Sequence, residues 1–126
     1  MTEKRDLTAT LAVIDSTIAG CVKVIPKFEV GSSQHTLLTN RIKALEIAKN
    51  LMLVEPTGPL YSKEELHAAQ APIQSLLHKS EKAMTKFKYG HPAYTRLNKL
   101  IQAMTLSEMA IEEAINNRVT RVFRHH

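Results

Sequence analysis

KFEVGSSQHT, residues 27–36, and KFKYGHPAYT, residues 86–95, are nearly one phrase written twice, with Lys, Phe, Gly and Thr in step. Sliding the chain against itself by the intervening 59 positions extends the match without a gap. Leu7 falls on Leu66, Ile14 on Ile73, Ser16 on Ser75 and Lys23 on Lys82. Past the phrases, Leu38 falls on Leu97, Ile42 on Ile101 and Ala44 on Ala103. The scarce residue types Gly and Phe match along with the common ones, which compositional bias does not explain. The chain reads as a duplicated unit.

Each copy reads as a helix, a short connection and a second helix. Leu7, Leu11, Ile14, Ile18, Cys21 and Ile25 step by three and four, the stripe of an amphipathic helix. Pro26 biases the residue before it away from helix, so this element should end near Val24. Ser32 or Ser33 caps a second helix whose stripe is Leu38, Ile42, Leu45, Ala48 and Met52. In the second copy Ser62 and Glu65 form a capping box ahead of Leu66, Ile73, Leu77, Met84 and Phe87. Gly90 can stop that helix in the left-handed conformation. Pro92 suits the first position of a fourth, carrying Leu97, Ile101, Met104, Ile111 and Ile115. The expected helices cover residues 3–24, 33–53, 63–89 and 92–116.

One αα-hairpin leaves its apolar face bare, so two copies should pack face to face. The expected fold is all-α, an up-down-up-down four-helix bundle of two hairpins with pseudo-twofold symmetry. VEPTGPLY, residues 54–61, is too short to separate independent domains. The chain is therefore read as one domain. Repeat one covers 1–54 and repeat two 62–116, with a linker at 55–61 and a basic tail at 117–126.

Composition bounds the function. A chain of 126 residues with 44% hydrophobic content can bury a core without staples. The polar start, MTEKRDLTAT, does not read as a signal peptide, and no run of about 20 apolar residues is evident. Cys21 is the only cysteine, which excludes a disulfide framework or a Cys-based metal site. The expectation is a cytoplasmic protein that is not membrane-bound.

The net charge of +5 is unevenly distributed. Residues 20–43 and 79–102, which flank the two phrases, hold ten bases against Glu29 and Glu81, a net +8. In the expected bundle both phrases lie at one end, and with them His35, His91, Tyr94 and two helix N-termini, whose N–H groups and dipoles attract anions. Lys27, Ser32, Ser33, His35, Thr36 and Arg41 from the first copy are candidate contacts for a phosphorylated or nucleotide-like small ligand. Lys86, His91, Tyr94, Thr95 and Arg96 are their counterparts in the second. The competing account is structural: cations near helix C-termini offset the macrodipole, and Gly31 and Gly90 are helix caps.

Two further binding modes remain open. The basic end can instead dock an acidic protein surface, as in an interaction module of the immunity, antitoxin or phage accessory type. In the tail, Arg118, Arg121 and Arg124 recur every three residues around Phe123, with no acid. It can serve as an interaction tail for a protein, or for nucleic acid, which otherwise wants a longer basic track.

Catalysis has no support. Glu64 and His67 give one Glu-x-x-His, but a di-iron bundle uses two such motifs and further carboxylates, which residues 5–8 do not supply. No phosphate loop, dinucleotide fingerprint or nucleophile elbow occurs. Neither an enzyme activity, a cofactor nor a bound metal is expected.

Overall fold

The computed structural model describes residues 7–53 and 61–124, with side chains described as far as residue 117. Every regular element among them is helical: α1 (Thr8–Val24), α2 (Ser33–Leu53), α3 (Lys63–Met84) and α4 (Pro92–Arg124). A 3-10 turn, Ile25–Lys27, follows α1. The most extensive packing joins α3 to α4, the slightest joins α1 to α4, and α2 touches all three other helices. This is a four-helix bundle.

The core is built from the expected stripes. Ile14, Leu45, Ile73, Met104 and Ile111 are fully buried and belong to one cluster with Leu66, Ala44 and Ala103. Helix directions follow from cross-contacts. Asp15 of α1 pairs with Lys49 of α2 at 2.7 Å, and Asn50 Nδ2 of α2 donates to the Tyr61 hydroxyl just before α3 at 2.7 Å. The ion pair is half-exposed, so it orients more than it stabilises.

Three helix boundaries differ from expectation. The first turn of helix one, expected from residue 3, falls partly outside the described residues; Leu7 is not yet helical and precedes Thr8. Helix α3 ends at Met84, not at residue 89. There the Thr85 hydroxyl donates to the Lys82 carbonyl at 2.7 Å, and the amides of Lys86 and Phe87 take three-residue bonds to Ala83 and Met84. The repeat itself carried this signal, because Val24 of the first copy corresponds to Ala83. Consequently Phe87 is 36% exposed and does not extend the stripe.

At the other extreme α4 runs through the basic tail to Arg124 instead of stopping near residue 116. Its 33 residues span about 50 Å at 1.5 Å each. Inside α3, Pro72 is accommodated although it lacks the N–H that would bond the Ala68 carbonyl. Finally, the segment Thr8–Lys27 is long and apolar enough in composition to cross a membrane, and only 11% of its most apolar window is buried. The reading that no such stretch exists is corrected: Asp15 and Lys23 interrupt the run without outweighing it. Residues 54–60, which hold the expected linker apart from Tyr61, lie outside the described residues.

The capping box forms as read. Ser62 Oγ accepts from the Glu65 amide at 3.0 Å while Glu65 Oε1 accepts from the Ser62 amide at 2.8 Å. That backbone hydrogen bond, more than the Ser62 hydroxyl or the charge of Lys43, holds the Glu65 carboxyl below its ordinary value of 4.5. A depressed carboxylate adds stability above its unfolded pKa and loses it as pH falls through the folded one. The stability gap between wild type and Glu65→Gln should therefore be fully present at pH 7 and close below pH 4, as read by urea denaturation at both values. Ser62→Ala should cost about 1 kcal/mol at neutral pH.

Gly31 and Gly90 share positive φ angles of 93° and 94°. A Cβ at either would meet nothing within 4 Å, so only backbone strain opposes a side chain there. Gly31→Ala and Gly90→Ala should each destabilise by about 1–2 kcal/mol with no change in fold, measurable by thermal denaturation and circular dichroism.

Candidate functional site

The two phrases adopt the same local geometry. The amides of Phe28 and Phe87 donate to Ile25 and Met84, three residues back. A left-handed glycine follows in each, and the amides of Ser32 and His91 donate to Glu29 and Lys88 at 3.0 Å. The next helix then begins, with Thr36 and Thr95 donating through their amides to Ser32 and His91. Two different side chains perform one capping task. Ser32 Oγ accepts from the His35 amide at 3.2 Å, and His91 Nδ1 accepts from the Ala93 amide at 3.0 Å. The expectation of helix N-termini wholly free for an anion is corrected to that extent: in each copy the phrase's own side chain takes one such amide, and Pro92 has none to offer.

Among the described residues, the phrases' hydrogen bonds and ring contacts stay within each phrase and its flanking helices. Phe87 packs against His91 with centroids 4.9 Å apart, and Tyr89 meets Tyr94 edge-on at 5.6 Å. The 3-10 turn of the first copy touches α1 and α2 only. Moreover Arg96 and its neighbours up to Leu100 lie beside Ala12–Thr17, in mid-α1, and Thr17 is about 10 Å short of that helix's C-terminus.

Lys27, Ser33, Thr36, Lys86, His91, Thr95 and Arg96 are exposed, while Ser32, His35, Arg41 and Tyr94 are half-buried. Among the described residues, none of the ten bases flanking the phrases takes part in an ion pair. What the phrases display is therefore largely exposed and cationic. At each tip, the residue before the glycine is nearly bare: Val30 is 87% exposed and Tyr89 is 89% exposed. Both stand at the same place in the phrase, with Lys27 and Lys86 three residues before them. Sequence reading passed over this pair because Val and Tyr differ and only identical residues had been matched.

Arg41 behaves unlike the other cations. It lies three residues after Leu38 and four before Leu45, both buried, so it belongs to the core-facing stripe of α2. Its Nε and Nη2 are shielded from solvent and have no hydrogen-bond partner. The matched position in the second copy holds Leu100.

Away from the phrases, His67 Nδ1 lies 3.3 Å from Gln70 Oε1 on an exposed face. No group of three or more potential metal ligands occurs among the described residues. Cys21 is buried on the α1 stripe. The side chains of the tail residues Arg118, Arg121, Phe123 and Arg124 lie outside the described residues, although their backbone continues α4.

No protein-family model, curated protein or solved structure matches the chain.

Two shielded, unpaired guanidinium nitrogens carry a desolvation cost that an apolar side chain avoids. Arg41→Leu should accordingly stabilise the protein by about 1–3 kcal/mol, seen as a raised midpoint in urea with an unchanged slope.

Proposed function

We propose that the protein is a non-enzymatic interaction module whose two basic turns dock on an acidic protein surface. The observation that carries this reading is the matched pair of exposed tips, Val30 and Tyr89, each with an exposed, unpaired lysine three residues before it. Isolated exposed apolar residues are ordinary on protein surfaces. Here two occupy one position of a repeated phrase and are held out by identically built turns. An apolar anchor ringed by charge is the anatomy of a contact patch, in which the anchor loses water and the rim selects the partner. The lysines would steer an acidic partner and make its association salt-sensitive. In this reading the protein is cytoplasmic, uses no cofactor and performs no chemistry.

The test is photo-cross-linking in cells from an unnatural amino acid placed at residue 30 or 89. The expected result is one shared partner captured from both positions, through an acidic segment, with capture lost in Lys27→Ala/Lys86→Ala/Lys88→Ala. Capture of unrelated proteins from the two positions, or capture indifferent to the lysines, overturns the reading.

A second reading keeps the basic turns as a seat for a phosphorylated or nucleotide-like small ligand. It is favoured by the partnerless Arg41 guanidinium, which an oxyanion would satisfy. A thermal-shift screen of nucleotides and polyphosphates separates the two: a ligand shift lost in Arg41→Leu supports this reading, and no shift with any of them removes it.

A further inference from the structure

Between α1 and α4, away from both turn tips, lies a groove of about 330 Å³. It follows from the weakest helix pair of the bundle. Val13, Leu97 and Leu100 supply half-buried apolar walls, and the small side chains of Ala12 and Ser16 leave the space unfilled. Thr17 also lines it, with its hydroxyl already donating to the Val13 carbonyl at 2.8 Å. The only charged residues lining the groove are Arg96 and Lys99, both exposed and neither in an ion pair. The nearest acid in the sequence of α1, Asp15, is engaged by Lys49 of α2 and does not line the groove.

These two cations are not explained by helix capping. They sit in the first two turns of α4, at the end of the helix where a cation gains nothing from the macrodipole. Nor do they belong to the repeat, because the matched positions hold Leu37 and Asn40. A positively charged mouth beside apolar walls is complementary to a molecule with an apolar body and an anionic head.

We propose that the α1/α4 groove binds a free amphiphilic monoanion, its apolar chain against Val13, Leu97 and Leu100 and its oxyanion head on Arg96 and Lys99. The volume stands at the small end of ligand sites, with room for a single chain and not for a two-chain lipid. The site is separate from the turn tips, and its test does not depend on them.

The experiment titrates decanoate into isotope-labelled protein below the micellar concentration and follows backbone amides by nuclear magnetic resonance. Decanol is the uncharged arm, and phosphatidylglycerol vesicles are the bilayer arm. Saturable shifts centred on Ala12, Ser16, Leu97 and Leu100 are expected with decanoate. Arg96→Ala/Lys99→Ala should weaken binding by about tenfold or more, the loss that charge-assisted hydrogen bonds imply. Ala12→Trp, at an exposed position that leaves the core untouched, should fill the groove and abolish binding. Equal affinity for decanol, decanoate binding unchanged in either variant, shifts centred elsewhere, or association with vesicles alone would each overturn the proposal.

Discussion

The shared geometry of the two phrases hangs on two reversals of the chain at a left-handed glycine. At Gly31 and Gly90 the backbone adopts a φ that other L-residues reach only with strain, and the surrounding hydrogen bonds are the same in both places. The connection takes seven residues between α1 and the cap Ser32, and six between α3 and the cap His91. It forces the side chain before the glycine outward and fixes where the following helix starts. A lysine three residues earlier is exposed for the same reason. The phrase is thus a capping device by construction, and any recognition it performs uses side chains that the cap leaves over.

The second shaping fact is the unequal share of the helices in the core. Helix α2 contacts every other helix, whereas α1 contacts α2 and α4 and leaves most of its large apolar side chains only partly buried. Only Ile14 and Cys21 of α1 are buried. A helix this apolar and this exposed buries less area than its composition allows, so part of the hydrophobic effect available to it is unused. The α1/α4 groove and the exposed Val22 are local expressions of that shortfall.

Much of the fold was legible in the sequence because helix formation here is governed by short-range chemistry. The Ser62–Glu65 box, the start of α2 after Ser32 and the three-four spacing of Ile14, Leu45, Ile73 and Met104 all act within a few residues. The ends of α3 and α4 were less legible because no single residue dictates them. Thr85 competes for a carbonyl where Gly90 had seemed the natural stop, and nothing in NNRVTRVFR breaks a helix once α4 is running. The candidate site was only partly legible. Sequence read the cations as flanking the turns, but neither the exposure of Val30 and Tyr89 nor the inward register of Arg41 is a property of spacing alone. Choosing Ile42 for the stripe hid Arg41, although both lie within one turn of Leu38 and Leu45. In a bundle where α2 is surrounded, the buried arc is wide enough to include both positions.

Charge at the helix termini gives the molecule its remaining asymmetry. Lys23 and Lys82 lie in the last turns of α1 and α3, where they offset the negative end of each macrodipole. Lys43, Arg96 and Lys99 follow the starts of α2 and α4, where no such compensation exists and no carboxylate pairs with them. Glu65 attracts Lys43 without reaching ion-pair distance, and for Arg96 and Lys99 even that is lacking. Like charges gathered around two neighbouring connections raise the energy of the free protein slightly through mutual repulsion, an effect that salt screens over about 8–10 Å. The same repulsion is relieved when an anion arrives, so the gain on binding includes what the free state had lost. A surface built in this way favours anionic company in general; the apolar neighbours decide which kind. At the tips those neighbours are single bare side chains suited to a folded partner, and in the groove they are walls suited to a chain.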